Sequence, residues 1–355
     1  MGKEIKLVKR NIALGLLIMF VSNLLFGGGI VVDPKTGQNV WVDQAPNGAT
    51  IINISTPNGK GISVNDFKEF KTGDKGVVYI NFKNGVGRSY LAGLLPGNPN
   101  ITDQEARIIL NRVTGGNRAE IESYLEALGH NKTDLIFSSP NGIFLSNTGF
   151  IGFNNVVMTT GNINLDQYGN IMPFSVRGGD IEIGRKGINA SELQSLSLLS
   201  KRIYLDGQLA GSEMELTAGE YDYDLATKAA SNIGTNNNEM LISSTAFGSM
   251  YGNQIKVVAV NGNLGVQGDV ISEKVLKIEA DGTIITNNIQ GKESINIKAK
   301  EYTQTGTGYS EGILNIEADK TTLSGTGVQA GKISITGDLS NTSNLYSKSD
   351  IYVGK

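Results

Sequence analysis

From residue 276 toward the carboxyl end, apolar pairs split by one polar residue recur at a fixed step: Leu276/Ile278, Ile295/Ile297, Leu314/Ile316 and Ile333/Ile335. The interval is the same each time, from 276 to 295, 314 and 333, giving a 19-residue repeat. Ile351/Val353 continues the series one residue early, and Val257/Ala259 extends it one step back. An apolar-polar-apolar triplet points its outer residues to one side of a short strand. A fixed period of about 20 residues marks a solenoid, whose units bury their apolar side only by stacking. Residues 139–161 show one such unit most clearly. Three short apolar runs, Ile143–Leu145, Phe150–Phe153 and Val156–Met158, sit between Pro140-Asn141-Gly142, Asn147-Thr148-Gly149, Asn154-Asn155 and Gly161-Asn162. Asn and Gly tolerate positive φ, so these clusters turn the chain sharply. Strands this short need neighbours to be stable. The pattern therefore predicts an all-β chain, a parallel β-helix in which each coil has three strands.

The stretch before residue 98 reads as strands and turns in short bursts: Ile30–Val32, Val40–Val42, Ile51–Ile54 and Val77–Phe82, punctuated by Pro34-Lys35-Thr36-Gly37, Ala45-Pro46-Asn47-Gly48 and Thr56-Pro57-Asn58-Gly59. An open solenoid end is an exposed sheet edge, so these strands are expected to form an amino-terminal cap. Residues 98–128 are ambiguous. Thr102 with Glu105 fits a helix capping box and 118–128 is helical in composition, whereas Ile108-Ile109-Leu110 suits a strand. Residues 208–248, with Tyr221-Asp222-Tyr223-Asp224 and Asn236-Asn237-Asn238, break the rhythm and read as a hairpin or loop excursion on the helix flank.

Lys3, Lys6, Lys9 and Arg10 precede an apolar run from Ile12 to Phe26, the pattern of a secretory signal peptide over residues 1–27. A retained anchor is the alternative. No later stretch is long and apolar enough to cross a membrane. Cysteine is absent, which excludes disulfides and thiolate metal sites. A net charge of -3 gives no reason to expect a nucleic-acid partner.

Six stretches in order resemble the amino-terminal secretion domain of two-partner-secretion exoproteins, the filamentous haemagglutinin and haemolysin family. They are Thr56–Phe67 with Phe70, Gly97-Asn98-Pro99-Asn100-Ile101, Arg107–Thr114, Ser139-Pro140-Asn141-Gly142-Ile143 with Gly149-Phe150-Ile151, Phe174–Ile181, and Gly248–Asn253. The resemblance covers residues 28–260, with residues 261–355 continuing the β-helix repeats. It implies a right-handed parallel β-helix with an amino-terminal cap, and strand rather than helix over 107–128. It further implies export by a dedicated outer-membrane β-barrel transporter with periplasmic recognition modules. Its two landmark turns make Asn98, Pro99, Asn100, Pro140, Asn141 and Gly142 the candidate secretion motif. Two departures stand out: Ser139 occupies a place where the family has Asn, and residues 144–148 lack the Cys pair of some members. Family exoproteins are far longer, so an effector portion is expected to lie outside this sequence.

Catalytic chemistry is sparse. His130 is the sole histidine and sits in a turn without nucleophile or metal partners. Asp222 with Asp224, or Asp166 with Asp180, are the carboxylate pairs a polysaccharide-cleaving β-helix would need. Turn Asp residues are equally ordinary in a solenoid, so the expectation is a non-enzymatic, cofactor-free chain exported to the medium or cell surface of a Gram-negative bacterium. The two turns act either by contact with the transporter or solely by shaping the fold. Two rival functions are an adhesin binding host-surface glycans or proteins through its coil faces and a polysaccharide-degrading enzyme.

Overall fold

The structure is a computed structural model that describes residues 29–234 and 238–354. The expected signal peptide, and Asn236 and Asn237 of the expected excursion, lie outside the described residues. Among those described there is no α-helix; the one helical piece is the 3-10 turn Pro34–Thr36, whose first turn Asp33 caps by accepting from the Lys35 N–H. The stretch 107–128 is strand: Ile108–Val113, Ala119–Ile121 and Leu125–Leu128.

Three parallel ladders wrap one core and make the chain a β-helix. The first face runs from Ile62–Glu69 through Ile108–Val113, Thr133–Ser138 and Phe153–Thr159, then coil by coil to Ile351–Gly354. The second starts at Thr50–Asn53, passes Val77–Ile80, Leu125–Leu128 and Thr148–Ile151, and ends at Asn344–Ser347. The third links Ala119–Ile121, Ile143–Leu145, Asp180–Ile183 and Arg202–Leu205, continuing to Glu301–Gln304 and beyond. Many strands are long because they turn a corner: Ile188–Ser200 serves the second face with its first residues and the first face with its last.

The sequence repeat is a real structural repeat. Leu276, Ile295, Leu314 and Ile333 are successive partners in one ladder, and Ile351 follows them. One step back the register differs from the expectation. Leu276 and Ile278 pair with Ile255 and Val257, not with Val257 and Ala259, so that coil is longer than those after it. Ala259 faces inward too, as the third residue of an alternating set, and this set hid the extra pair.

The amino-terminal coils differ from the later ones on the outside. In the later coils apolar and polar residues alternate, because one side of each strand meets water. In Ile108-Ile109-Leu110, Leu135-Ile136-Phe137 and Val156-Val157-Met158 the runs are continuous. Ile109, Leu135 and Val156 point into the helix, while Leu110 and Ile136 belong to a second core outside the first face, with Ile108 and Val157 packed against it. Its cover is a small antiparallel sheet of Phe174–Val176, Tyr221–Asp224 and Ala229–Asn232, together with Ile163 and the bridged pair Leu165 and Ile171. A third core lies outside the second face, where Ile51, Val78 and Ile80 pack under the two-stranded hairpin Val86–Ser89 and Gly93–Pro96. Continuous apolar runs thus mark where the helix is covered.

Two boundaries move as a result. Ile163 and Leu165 alternate in the sequence as a strand of the helix would, yet they lie in its cover. The excursion is also shorter than 208–248. Leu209–Gly219 stays in the helix because Leu209, Met214, Leu216 and Ala218 all face the main core, and Met240–Ser244 rejoins it.

The cap is closed by antiparallel pairs. Val31–Val32 runs against Ile62–Glu69, and Trp41–Gln44 against Thr50–Asn53. Ile30, Val40, Ile52 and Ile54 fill the end of the helix core. Behind them Phe67, Phe70 and Phe137 stack edge to face.

Candidate functional site

Asn98 follows the cap directly and is fully buried. Its Nδ2 donates to the carbonyls of Ile54, at 2.8 Å, and Ile80, at 3.0 Å. Ile80 ends one strand and Ile54 directly follows the end of its parallel neighbour, Asn53 being the partner of Ile80. One amide therefore satisfies two strand-end carbonyls at once. The Asn98 Oδ1 accepts from the Asn100 N–H, and the Asn98 carbonyl accepts from the Ile101 N–H to close the turn. Pro99 sits at the exposed crest, where its fixed φ suits the turn and its missing N–H costs nothing.

Asn100 adds a second tie. Its Nδ2 donates to the Asn39 and Ile54 carbonyls, and its Oδ1 accepts from Asn39 Nδ2. Asn39 in turn accepts from the Thr56 N–H. The turn therefore bolts the first cap segment to the first coil. The preceding Gly97 is required by space: a Cβ there would lie 2.2 Å from the Lys83 carbonyl oxygen.

The second turn is built alike and placed differently. The Gly142 N–H donates to the Ser139 carbonyl, as that of Ile101 does to Asn98. Gly142 has φ +113°, and a Cβ there would come within 3.0 Å of the Asp180 carbonyl oxygen. Asn141 is exposed and makes one bond, from Nδ2 to the Gly115 carbonyl at 2.7 Å; Pro140 is half-buried. Ser139, the counterpart of Asn98, is fully buried and its hydroxyl has no hydrogen-bond partner. A serine is too short to span two strands as Asn98 does. No hydrogen bond joins the two turns among the described residues, so they are two separate joints.

The remaining candidates are dispersed. His130 is exposed on a turn whose N–H bonds to Glu105. Asp222 is held by Ser175 and Arg177, Asp224 caps the turn at Ala226, Asp166 binds Asn170, and Asp180 pairs with Arg202. No group of three or more His, Asp or Glu side chains is placed to hold a metal among the described residues.

Three ties escaped the sequence. Asp66, wholly buried, forms a two-pronged bridge with Arg112, at 2.6 and 2.8 Å. Arg112 reaches on to the Ile163 carbonyl, where the outer cover begins. The buried Glu126 carboxylate accepts from the N–H groups of Tyr90 and Leu91 and from the Ser89 hydroxyl, which anchors the hairpin tip. Asp33 accepts from Thr114 and from the Lys35 N–H. Residue types gave no signal for these pairings, because each, the local Lys35 bond aside, joins positions far apart in the chain.

The Thr114 hydroxyl first, and then the Lys35 N–H, hold the Asp33 carboxyl below the ordinary carboxylate range. The Asn170 and Ser175 side chains do the same for Asp166 and Asp222. A carboxylate with a lowered folded pKa adds stability that is complete above its unfolded value and is lost as pH falls through the folded value. Thermal midpoints are therefore expected to hold at neutral pH and fall below about pH 4. Asp33→Asn should lower the neutral-pH midpoint and flatten the acid limb; an unchanged pH profile would remove Asp33 from this role.

Comparison with known proteins agrees with this geometry. The family model described as TPS secretion domain matches residues 29–286. The 16S rRNA endonuclease CdiA of Enterobacter cloacae is 30% identical over 279 residues, covering 76% of this chain and 8% of that protein. The protein adenylyltransferase and cysteine protease IbpA of Histophilus somni is 32% identical over 284 residues, 72% of this chain and 7% of its own length. The chain thus spans less than a tenth of these relatives. The crystal structure of the filamentous hemagglutinin secretion domain superposes with a TM-score of 0.68 at 25% identity, covering 92% of this chain and all of that one. The chain belongs to the TPS, or two-partner-secretion, secretion domain family.

Proposed function

We propose that this domain directs the export of its own polypeptide through an outer-membrane β-barrel transporter to the surface or medium of a Gram-negative bacterium. The observation that carries this reading is the family match across the cap and the first coils. In the periplasm the chain is unfolded, and short strands from residues 30–120 add to the sheet edge of a transporter module. Outside, it folds coil on coil. Ladder partners in the repeats lie a single coil apart in the chain, so each new coil needs only the previous one. Stacking then opposes back-sliding. No bridge can trap the chain in an oxidising compartment, since it has no cysteine. The domain does no catalysis itself.

Within this scheme Asn98 and Asn100 act by folding the cap, not by touching the transporter. The full burial of Asn98 supports that assignment. Asn141, exposed with one bond, is the position where direct contact remains compatible with the geometry. The test is secretion from a Gram-negative host with and without a matched transporter. Transporter-dependent appearance in the medium is expected. Equal release without any transporter, or retention with every matched one, would overturn the reading.

A further inference from the structure

The outer cover does not fully seal the face beneath it. Between the first face and the hairpin Tyr221–Asn232 lies an open cleft of about 530 Å³. Its walls are mixed: Ile108, Ile136, Val157, Ile171 and Leu225 form an apolar trough, and Gln194, Ser195 and Ser197 also line the cleft. Its rim is cationic. Lys60, Arg107 and Lys228 line it, are exposed, and form no ion pair among the described residues. The one carboxylate among the lining residues is Asp134, and it accepts from Asn155 through both N–H and Nδ2. Asp166 feels the Lys60 charge, but its oxygens are taken up by Asn170 and the Tyr168 N–H. The Arg107 guanidinium donates through Nη2 to the Lys60 carbonyl, which brings those two residues together at the mouth. Beside the cleft, Lys256 is paired with Glu215 and Arg177 with Asp222, so these two cations are taken. Three positive groups outside any ion pair, around an apolar trough, are complementary in charge to an anion that carries an apolar body.

We propose that this cleft binds an anionic amphiphile of fatty-acid type, with its head group at Lys60, Arg107 and Lys228 and its chain along Ile136, Val157 and Leu225. The backbone of the floor is already paired in the ladder on both sides, so an added peptide strand would find no free main-chain partners there. An aliphatic chain needs none. The head group gains charge-assisted bonds, and the chain removes apolar surface from water.

The test uses the purified chain and the fluorescent anion anilinonaphthalene sulfonate, displaced by decanoate or by decanol. One-to-one displacement by decanoate, weakening as salt rises, is expected. Lys60→Glu with Lys228→Glu should weaken decanoate about tenfold or more and leave decanol unchanged. Ala226→Trp, at the exposed rim, should block the trough for both probes. Thermal midpoints close to the parent's would show that these surface changes leave the fold intact. Equal affinity for decanol and decanoate, or insensitivity to charge reversal, would overturn the proposal. So would binding only to phosphatidylglycerol vesicles, which would make the rim a membrane contact instead.

Discussion

Asn98→Ala is expected to lower the stability of the folded chain by about 2–4 kcal/mol, the cost of leaving buried backbone groups without their side-chain partner. The substitution withdraws the amide from the Ile80 carbonyl and the acceptor from the Asn100 N–H, while Ile54 keeps its bond from Asn100. Asn98→Asp should do at least as much harm, although it keeps the shape. A carboxylate would then face two carbonyl oxygens in a buried site, with no donor for its second oxygen. Asn141→Ala, which loses one exposed bond, should cost about 1 kcal/mol or less. Urea unfolding followed by circular dichroism orders the three. If Asn98→Ala proved as mild as Asn141→Ala, the clamp would not be what holds the cap to the first coil.

Arg112→Met is the second large effect. Asp66 is wholly buried and Arg112 is 24% exposed, so removing the guanidinium strands a charge inside the wall of the helix. Breaking such a pair from one side costs about 3–5 kcal/mol, whereas replacing both partners by apolar groups is often close to neutral. The double variant Asp66→Leu, Arg112→Met should therefore recover more than half of the loss. Arg112 also holds the Ile163 carbonyl, so the single variant should expose the outer cover to proteolysis first. A double variant as unstable as the single one would assign the loss to the Ile163 tie instead.

Much of the fold was legible because a solenoid writes its period into the chain. Leu276, Ile295, Leu314 and Ile333 are spaced in the sequence as they are stacked in space. The limits of legibility have physical causes. Ile108-Ile109-Leu110 looked ambiguous between helix and strand because both of its sides are buried, which erases the alternation. The same erasure at Leu135-Ile136-Phe137 was the available sign of an outer core, and hence of the cleft beside it. Tyr221–Asp224 marks the excursion clearly, but its start is hard to place because Gly211 and Ser212 interrupt the alternation of Leu209–Gly219, a strand that stays in the helix. At the candidate site the turn types followed from Pro, Asn and Gly. Which asparagine is buried did not: Asn98 precedes its proline and Asn141 follows its own, but the burial of each is set by what packs around it.

The central claim is that the first turn serves export through folding. The most direct measurement binds urea-unfolded parent and Asn98→Ala chains to the purified periplasmic portion of a matched transporter, and follows the refolding of each separately. The expected result is equal binding of the two unfolded chains, with refolding impaired only in the variant. An Asn98→Ala chain that refolds like the parent yet fails to bind would contradict the claim and make the turn a recognition element.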